Sequence, residues 1–367
     1  MKLVVIGFGQ CGGKIADEFA RLNRRAHRKR RIDIITNAYA VDTDAVDLIE
    51  LHTIKSDYQQ RILVGGEKTR GHGVAGLSEL GAEIAREYVD KVIDVIRSAK
   101  RFFEADAFLL VASAAGGTGS GAMPIMTQHM KASYVDKSVY SLIVLPFDHE
   151  EMAEERIIYN TAKCLKSVYS VADAVFLFDN QRYATKDFSL RSDMTKINQL
   201  IVEPFYDLLC AGEERKAKHI GARMLDAGDI TQTLSGWTAI GYGKSPLPFI
   251  KLPFGRTRDF RKKSTETDKG IEAMDEAIGG LSVQCNAADS TRVLYLLSAP
   301  AKEMKVELVN ELGDYLQRMA PHAVISHGDY PMDSHAIRVV LVLSQLSDVE
   351  KVREYYTRSV AFSQQPD

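Results

Sequence analysis

The sequence predicts an α/β fold. A doubly wound, Rossmann-like domain spans residues 1–190, a long central helix 191–215, a smaller α+β domain 216–345, and a closing helix with a short frayed tail 346–367. Three observations carry this. Short, continuously apolar runs alternate with longer helical patterns through the first 180 residues, as buried parallel strands and their crossovers do. Glycine-rich segments follow two of those runs, where an open α/β sheet binds its ligands. Beyond residue 210 the pattern changes to a different mixture of strands and helices.

Taken in order, strands are expected at 3–6, 32–36, 62–64, 107–112, 139–145 and 174–178, with crossover helices such as 79–99 between them. The segment 191–210 carries apolar residues at 194, 197, 200, 201, 205, 208 and 209, a helical spacing that buries one face. Pro204 lies inside it and is expected to kink or break the helix. Further strands are expected at 237–242, 293–297, 323–326 and 337–343, with helices at 267–279 and 301–319. The stretch 246–269, richer in Pro, Arg and Lys, reads as a loop.

Composition narrows the class without touching chemistry. The 367 residues are 45% hydrophobic and 26% charged, which is ordinary for a globular chain that buries a large core. Lys plus Arg is 47 against 49 Asp plus Glu, so the phosphate-neutralising excess of a nucleic-acid binder is missing. Cys11, Cys164, Cys210 and Cys285 are widely spaced and form no CxxC pair, which suggests reduced thiols and no zinc site. With no apolar run of about 18 residues and no leader pattern before residue 3, a cytoplasmic protein is expected.

Residues 116–121, Gly-Gly-Thr-Gly-Ser-Gly, follow the 107–112 strand and precede a helix. Such a loop brings backbone N–H groups close to an anion, and the helix adds its positive end. Pro124 reads as a first-turn proline, and a triphosphate is the natural guest. The segment 7–13, Gly-Phe-Gly-Gln-Cys-Gly-Gly, literally matches GxGxxG. That leaves a nicotinamide-dependent Rossmann enzyme as an alternative, although it gives the second glycine loop no purpose. Gly243-Lys-Ser245 is no Walker A motif, because Thr238 stands where that motif needs glycine.

These residues resemble the tubulin/FtsZ superfamily of filament-forming GTPases. Residues 116–121 are similar to its signature loop, Gly9-Gln-Cys-Gly12 to the tubulin form of the first phosphate loop, and 69–76 to the FtsZ form of the third. A mixture of this kind, without a tubulin's acidic tail, resembles the archaeal CetZ group. The resemblance implies a tubulin/FtsZ-like fold that binds GTP or GDP with Mg²⁺. It places Gly9, Gln10, Cys11 and Gly12 at the α- and β-phosphates and Ala75 and Gly76 at the γ-phosphate. Ala115, Gly116, Gly117, Thr118, Gly119, Ser120 and Gly121 cradle the phosphates from the other side. Asp42 and Asp44 fall in the second nucleotide loop, where Asp44 is either a water-mediated Mg²⁺ contact or a helix cap. Asn180 and Asn198 match the guanine-reading positions, since an amide offers both donor and acceptor. Among the acidic residues after Pro146-Phe147, Glu154 is preferred for the ribose, with Glu155 and Arg156 adjacent.

In this family the acids that position the attacking water come from the next subunit. The matching segment is Met224-Leu-Asp226-Ala-Gly-Asp229, with methionine where the motif has asparagine. Asp229 and Asp226 are therefore the candidate catalytic acids, and the alternative is that Asp229 caps a helix beginning at Ile230. The resemblance implies an assembly-stimulated GTPase whose partner is itself, joined head to tail into protofilaments with lateral contacts. A cell-shape or division role follows from it, and a structural polymer with negligible hydrolysis is the alternative. The run 21–31, with seven Lys or Arg, reads as a solvated helix end, or else as a membrane-surface contact.

Overall fold

The computed structural model describes residues 1–184, 190–247 and 260–363. Among the described residues ten strands make one sheet: β1 (Leu3–Phe8), β2 (Ile35–Asp42), β3 (Arg61–Leu63), β4 (Ala107–Ser113), β5 (Ser138–Leu145), β6 (Ala174–Asp179), β7 (Gly236–Pro246), β8 (Arg292–Ala299), β9 (Val324–Pro331) and β10 (Ala336–Leu346). Their order is β3-β2-β1-β4-β5-β6-β7-β10-β8-β9. Pairing is parallel from β3 through β7, and β10 runs antiparallel to both β7 and β8. The parallel β6–β7 ladder, Ala174 to Phe176 against Gly236 to Thr238, joins the two halves of the chain in a single sheet.

The helices are α1 (Gly9–Arg30), α2 (Ala45–Ile49), α3 (Gly66–Thr69), α4 (Ser78–Arg97), α5 (Gly117–Ser133), α6 (Asp148–Ala153), α7 (Glu155–Tyr169), α8 (Leu190–Ala211), α9 (Ala227–Thr233), α10 (Phe260–Gly279), α11 (Val306–Met319) and α12 (Glu350–Ser363). The sheet divides the core in two. On one face Ile84, Met123, Leu165, Met274, Leu308 and Tyr355 bring in α4, α5, α7, α10, α11 and α12. On the other, Phe19 of α1 meets Phe205 of α8 edge to face at 5.3 Å. Burial on both sides explains why β1 and β4 through β6 read as continuous apolar runs.

Four expectations are corrected. The second strand runs from 35 to 42 instead of 32–36, because pairing with β1 carries it through the polar Thr36 and Asn37. Of the expected 246–269 loop, residues 248–259 lie outside the described residues, while 260–269 belong to α10. Helix α8 runs unbroken through Pro204. The carbonyl that loses its partner belongs to Leu200, which is 53% exposed, so water can satisfy it. Pro124 is not in a first turn. The glycines at 117, 119 and 121 themselves form the start of α5, which leaves Pro124 inside the helix.

Candidate functional site

The C-terminal ends of the parallel strands gather four loops at one place. After β1 the chain turns straight into α1 at Gly9, whose φ of +70° is a left-handed conformation that glycine adopts without strain. A β-carbon there would lie 3.2 Å from the backbone nitrogen of Gly119, so the two glycine loops already touch. After β2, Thr43 is buried and its hydroxyl lies 2.6 Å from that of Thr118. The loop before α4 is laid along this segment, with Gly73 N–H donating to the Thr43 carbonyl and Ala45 N–H to the Gly71 carbonyl. Gly117 closes the set, since a β-carbon on it would come within 2.8 Å of the Gly76 carbonyl carbon. Ser120 donates its hydroxyl back to the Gly116 carbonyl and fixes the first turn of α5.

Gly9, Thr43, Thr118, Gly119, Gly76 and Gly117 are thus assembled from separate segments of the chain. Gly116 is exposed and a β-carbon on it would meet nothing within 4 Å, so the loop is open on one side. Gln10 is exposed and donates to Asp47 at 2.6 Å. Burial pushes the Cys11 thiol up to about 12, reinforced by the negative charge of Glu150, so it stays a neutral thiol beside the site. Asp42 is 3% exposed, and burial pushes its carboxyl up to about 7 despite the Asp44 and Thr43 N–H groups that favour its charge. Asp44 caps α2 by accepting from Val46 N–H at 2.8 Å. That use of one oxygen leaves the other for a water.

At the next strand ends, Asn180 follows β6 directly and is 6% exposed, and its Oδ1 is buried with no protein partner. Asn198 lies on α8 and is 5% exposed. An orphaned buried acceptor and an open glycine cradle are what a purine nucleotide triphosphate would satisfy. No group of three metal-ligating side chains occurs among the described residues. A Mg²⁺ ion would therefore lean mainly on phosphate oxygens and water, with Asp44 behind a water.

Three residues alter the expected list. Glu154, preferred for the ribose, is exposed at the start of α7 and pairs with Arg156 at 3.4 Å. Glu150 instead faces inward, accepting from Phe147 N–H at 2.8 Å and acting on Cys11. It was one carboxylate among several in an acidic loop, and nothing local singled it out. Asn160 on α7, 1% exposed, donates to the Gly76 carbonyl at 2.9 Å and the Ala115 carbonyl at 3.1 Å. Those partners are 84 and 45 residues away, beyond any local signal. The loop after β5 is gripped from behind by α12. The buried carboxylate of Glu151 takes bonds from Tyr355 and Arg358 and an ion pair from Lys351 at 3.2 Å.

Asp226 and Asp229 lie elsewhere. Gly212, the residue after α8, packs against both the Met1 backbone nitrogen and the Asp226 Cα. The hydroxyl of Thr231 on α9 is 3.3 Å from that of Tyr140, near the start of β5. Both acids therefore sit at the N-terminal ends of the parallel strands, opposite the glycine loops. The expected cap is also corrected: α9 begins at Ala227, and its cap is Asp226, which accepts from Asp229 N–H at 2.8 Å. The Asp229 carboxylate in turn accepts from Asp226 N–H at 3.2 Å, completing a capping box. Met224 is exposed beside them.

The basic run is not simply a solvated helix end. Arg24 bonds the Thr53 carbonyl, Nη1 of Arg25 donates to both carboxylate oxygens of Glu203 on α8, and Arg30 reaches Glu214 at 2.7 Å. No helix among the described residues is long and apolar enough to cross a membrane.

Residues 2–185 match the tubulin/FtsZ family GTPase domain, and residues 187–361 match the C-terminal domain of tubulin-like CetZ. The chain is 30% identical to tubulin-like protein CetZ1 of Haloferax volcanii over 96% of its own length and 90% of that protein's. It is 28% identical to tubulin-like protein CetZ of Thermococcus kodakarensis over 98% and 87%. The solved structure of Haloferax volcanii CetZ1, a GDP-bound monomer, is similar at a TM-score of 0.84 and 28% identity, covering 99% of this chain and 100% of that one. The GTPγS-bound protofilament of CetZ2 from the same organism shares the fold at a TM-score of 0.85 and 24% identity, covering 100% of both chains.

Proposed function

The chain belongs to the tubulin/FtsZ family, in its CetZ group, and from that premise we propose that it is a GTP-binding, GTP-hydrolysing protein that polymerises head to tail and serves cell shape or division. The observation that carries the proposal is the separation of the two half-sites. The phosphate loops lie at the C-terminal ends of the parallel strands, and the Asp226–Asp229 pair lies at their N-terminal ends. One molecule cannot bring them together, whereas a second copy stacked in the same orientation can.

The loops at 9–12, 75–76 and 115–121 supply backbone N–H groups toward the phosphates, and the start of α5 adds the positive end of its dipole. Asn180 and Asn198 read the guanine edge, and Glu150, whose charge acts on Cys11 of the first glycine loop, takes the sugar in place of the exposed Glu154. Mg²⁺, when bound with the nucleotide, supplies charge neutralisation across the phosphate oxygens. Across the contact, Asp229 keeps one carboxylate oxygen on Asp226 N–H and offers the other to the attacking water, holding it for in-line displacement. A head-to-tail contact of this kind does not close on itself and propagates as a filament.

The test is phosphate release against protein concentration, with light scattering alongside. Release per molecule should rise steeply with concentration as polymer forms. Asp229→Asn, which keeps a capping acceptor, should lower turnover by about 10²-fold or more while nucleotide stays bound. Assembly with flat phosphate release would instead leave a nucleotide-binding structural polymer. Unchanged turnover in Asp229→Asn would remove that residue from the chemistry.

A further inference from the structure

Helix α7 presents two side chains, one turn apart, to the loops on either side of the phosphate site. Arg156 Nη1 lies 3.4 Å from the Ala75 carbonyl oxygen. Asn160, four residues on, sends its single Nδ2 to two carbonyls at once, Gly76 at 2.9 Å and Ala115 at 3.1 Å. Two acceptors fix which end of the amide points at them, because the flipped amide would set oxygen against oxygen. The 75–76 segment needs such a hold. Ala75 has φ +48° and Gly76 φ +76°, and a left-handed alanine persists only where its surroundings impose it.

The other end of the same amide has no partner. Asn160 Oδ1 is buried and unpaired, and the residue is 1% exposed. For packing alone, leucine would fill this volume without the desolvated acceptor. The amide earns its place through the two carbonyls it joins, and these belong to the loop before α4 and the loop before α5, which otherwise meet only by contact.

We propose that Asn160 is a positioning residue that ties the Ala75–Gly76 loop to the Ala115 loop, so that the protein distinguishes a nucleoside triphosphate from a diphosphate. The inference rests on the proposed nucleotide site, with the γ-phosphate at residues 75 and 76. A terminal phosphate seated on that loop holds it in place, and through Asn160 it also holds the start of the signature loop and α7. Without the amide, the two loops respond to the terminal phosphate separately.

The experiment measures equilibrium affinities of the full chain for fluorescent GTP and GDP analogues, at protein concentrations too low for assembly. Asn160→Leu should keep its melting temperature near that of the unsubstituted protein. It should lose roughly fivefold or more in the ratio of GTP to GDP affinity, with GDP affinity little changed. If Asn160→Leu does not fold, Asn160→Ala removes the same donor without bulk and should shift the ratio equally. Lys163→Ala, which removes the exposed ion pair of α7 with Glu79 and the ammonium over the Tyr159 ring but touches neither loop carbonyl, should leave the ratio unchanged. Equal losses for both nucleotides, or no change, would overturn the positioning role. An unsubstituted protein that binds neither nucleotide would overturn the site reading itself, before any variant is compared.

Discussion

Arg30→Met should destabilise the protein far more than its place in a basic, largely exposed run suggests. The Arg30 side chain is 9% exposed and lies 2.7 Å from Glu214, whose side chain is wholly buried. Its guanidinium also sits 4.7 Å from the centre of the Tyr330 ring. Breaking a buried pair by removing one partner costs about 3–5 kcal/mol, because the other charge is left uncompensated. Here Glu214 keeps Tyr330 OH at 3.1 Å and the backbone N–H groups of Arg215 and Lys216 at 3.0 and 3.1 Å. We therefore expect about 2–3 kcal/mol from the pair and up to about 1 more from the lost ring contact. The internal control is Arg25→Met, whose pair with Glu203 is 27% and 31% exposed and whose guanidinium lies 3.9 Å from the centre of the Tyr206 ring. The pair and the ring contact together should cost about 1–2 kcal/mol.

Urea unfolding followed by Trp237 fluorescence reads this directly. It is the sole tryptophan, 6% exposed, and it lies in β7, where the two halves of the sheet join. The midpoint should fall at unchanged slope, and the double variant Arg30→Met with Glu214→Gln should recover part of the loss. Acid supplies a second check. Burial raises the Glu214 carboxyl, but its hydrogen bonds and Arg30 more than offset this and leave it below its usual value of 4.5. Stability from a depressed carboxyl is present above the unfolded value and is lost as pH falls through the folded one. The gap between the unsubstituted protein and Arg30→Met should therefore narrow below pH 4.5. A cost under about 0.5 kcal/mol, or an equal cost from Lys29→Met, would refute the stabilising role of the Arg30–Glu214 pair and return the run to solvent.

Two further outcomes can be checked cheaply. Asn180→Ala removes the buried amide whose Oδ1 lacks a protein partner, and should weaken GTP binding by about tenfold or more while narrowing its advantage over ATP in a competition assay. Burial pushes the Cys11 and Cys164 thiols from 9.0 to about 12, so at pH 8 iodoacetamide should modify them roughly a thousandfold more slowly than free thiols, as intact mass would show.

How far the sequence carried is a matter of range. Strands buried on both faces announce themselves as apolar runs, and β1, β4, β5 and β6 stand within a residue or two of where those runs place them. β2 does not, because Thr36 and Asn37 look like a terminus and only the ladder to β1 carries the strand past them. The start of α10 is rich in charge, so its sequence reads as loop, yet the chain is helical from Phe260. At the site, glycines are legible because close approach excludes every other residue. Asn160 and Glu150 are not, since their identity depends on partners the chain reaches only after folding.

In the proposed function one molecule is half of a site, and the topology of the parallel strands accounts for it. In a parallel sheet every strand starts at one end and finishes at the other, so loops gathered at the finishing ends cannot meet a segment docked at the starting ends. β1 has six residues, and at about 3.3 Å each they separate those ends by roughly 20 Å. No rotamer or loop adjustment spans that distance. In the proposed head-to-tail assembly a second copy in the same orientation spans it, with its Asp226–Asp229 end toward the first copy's glycine loops. On the proposed function, the divided site in one chain makes the subunit a repeat unit with complementary ends.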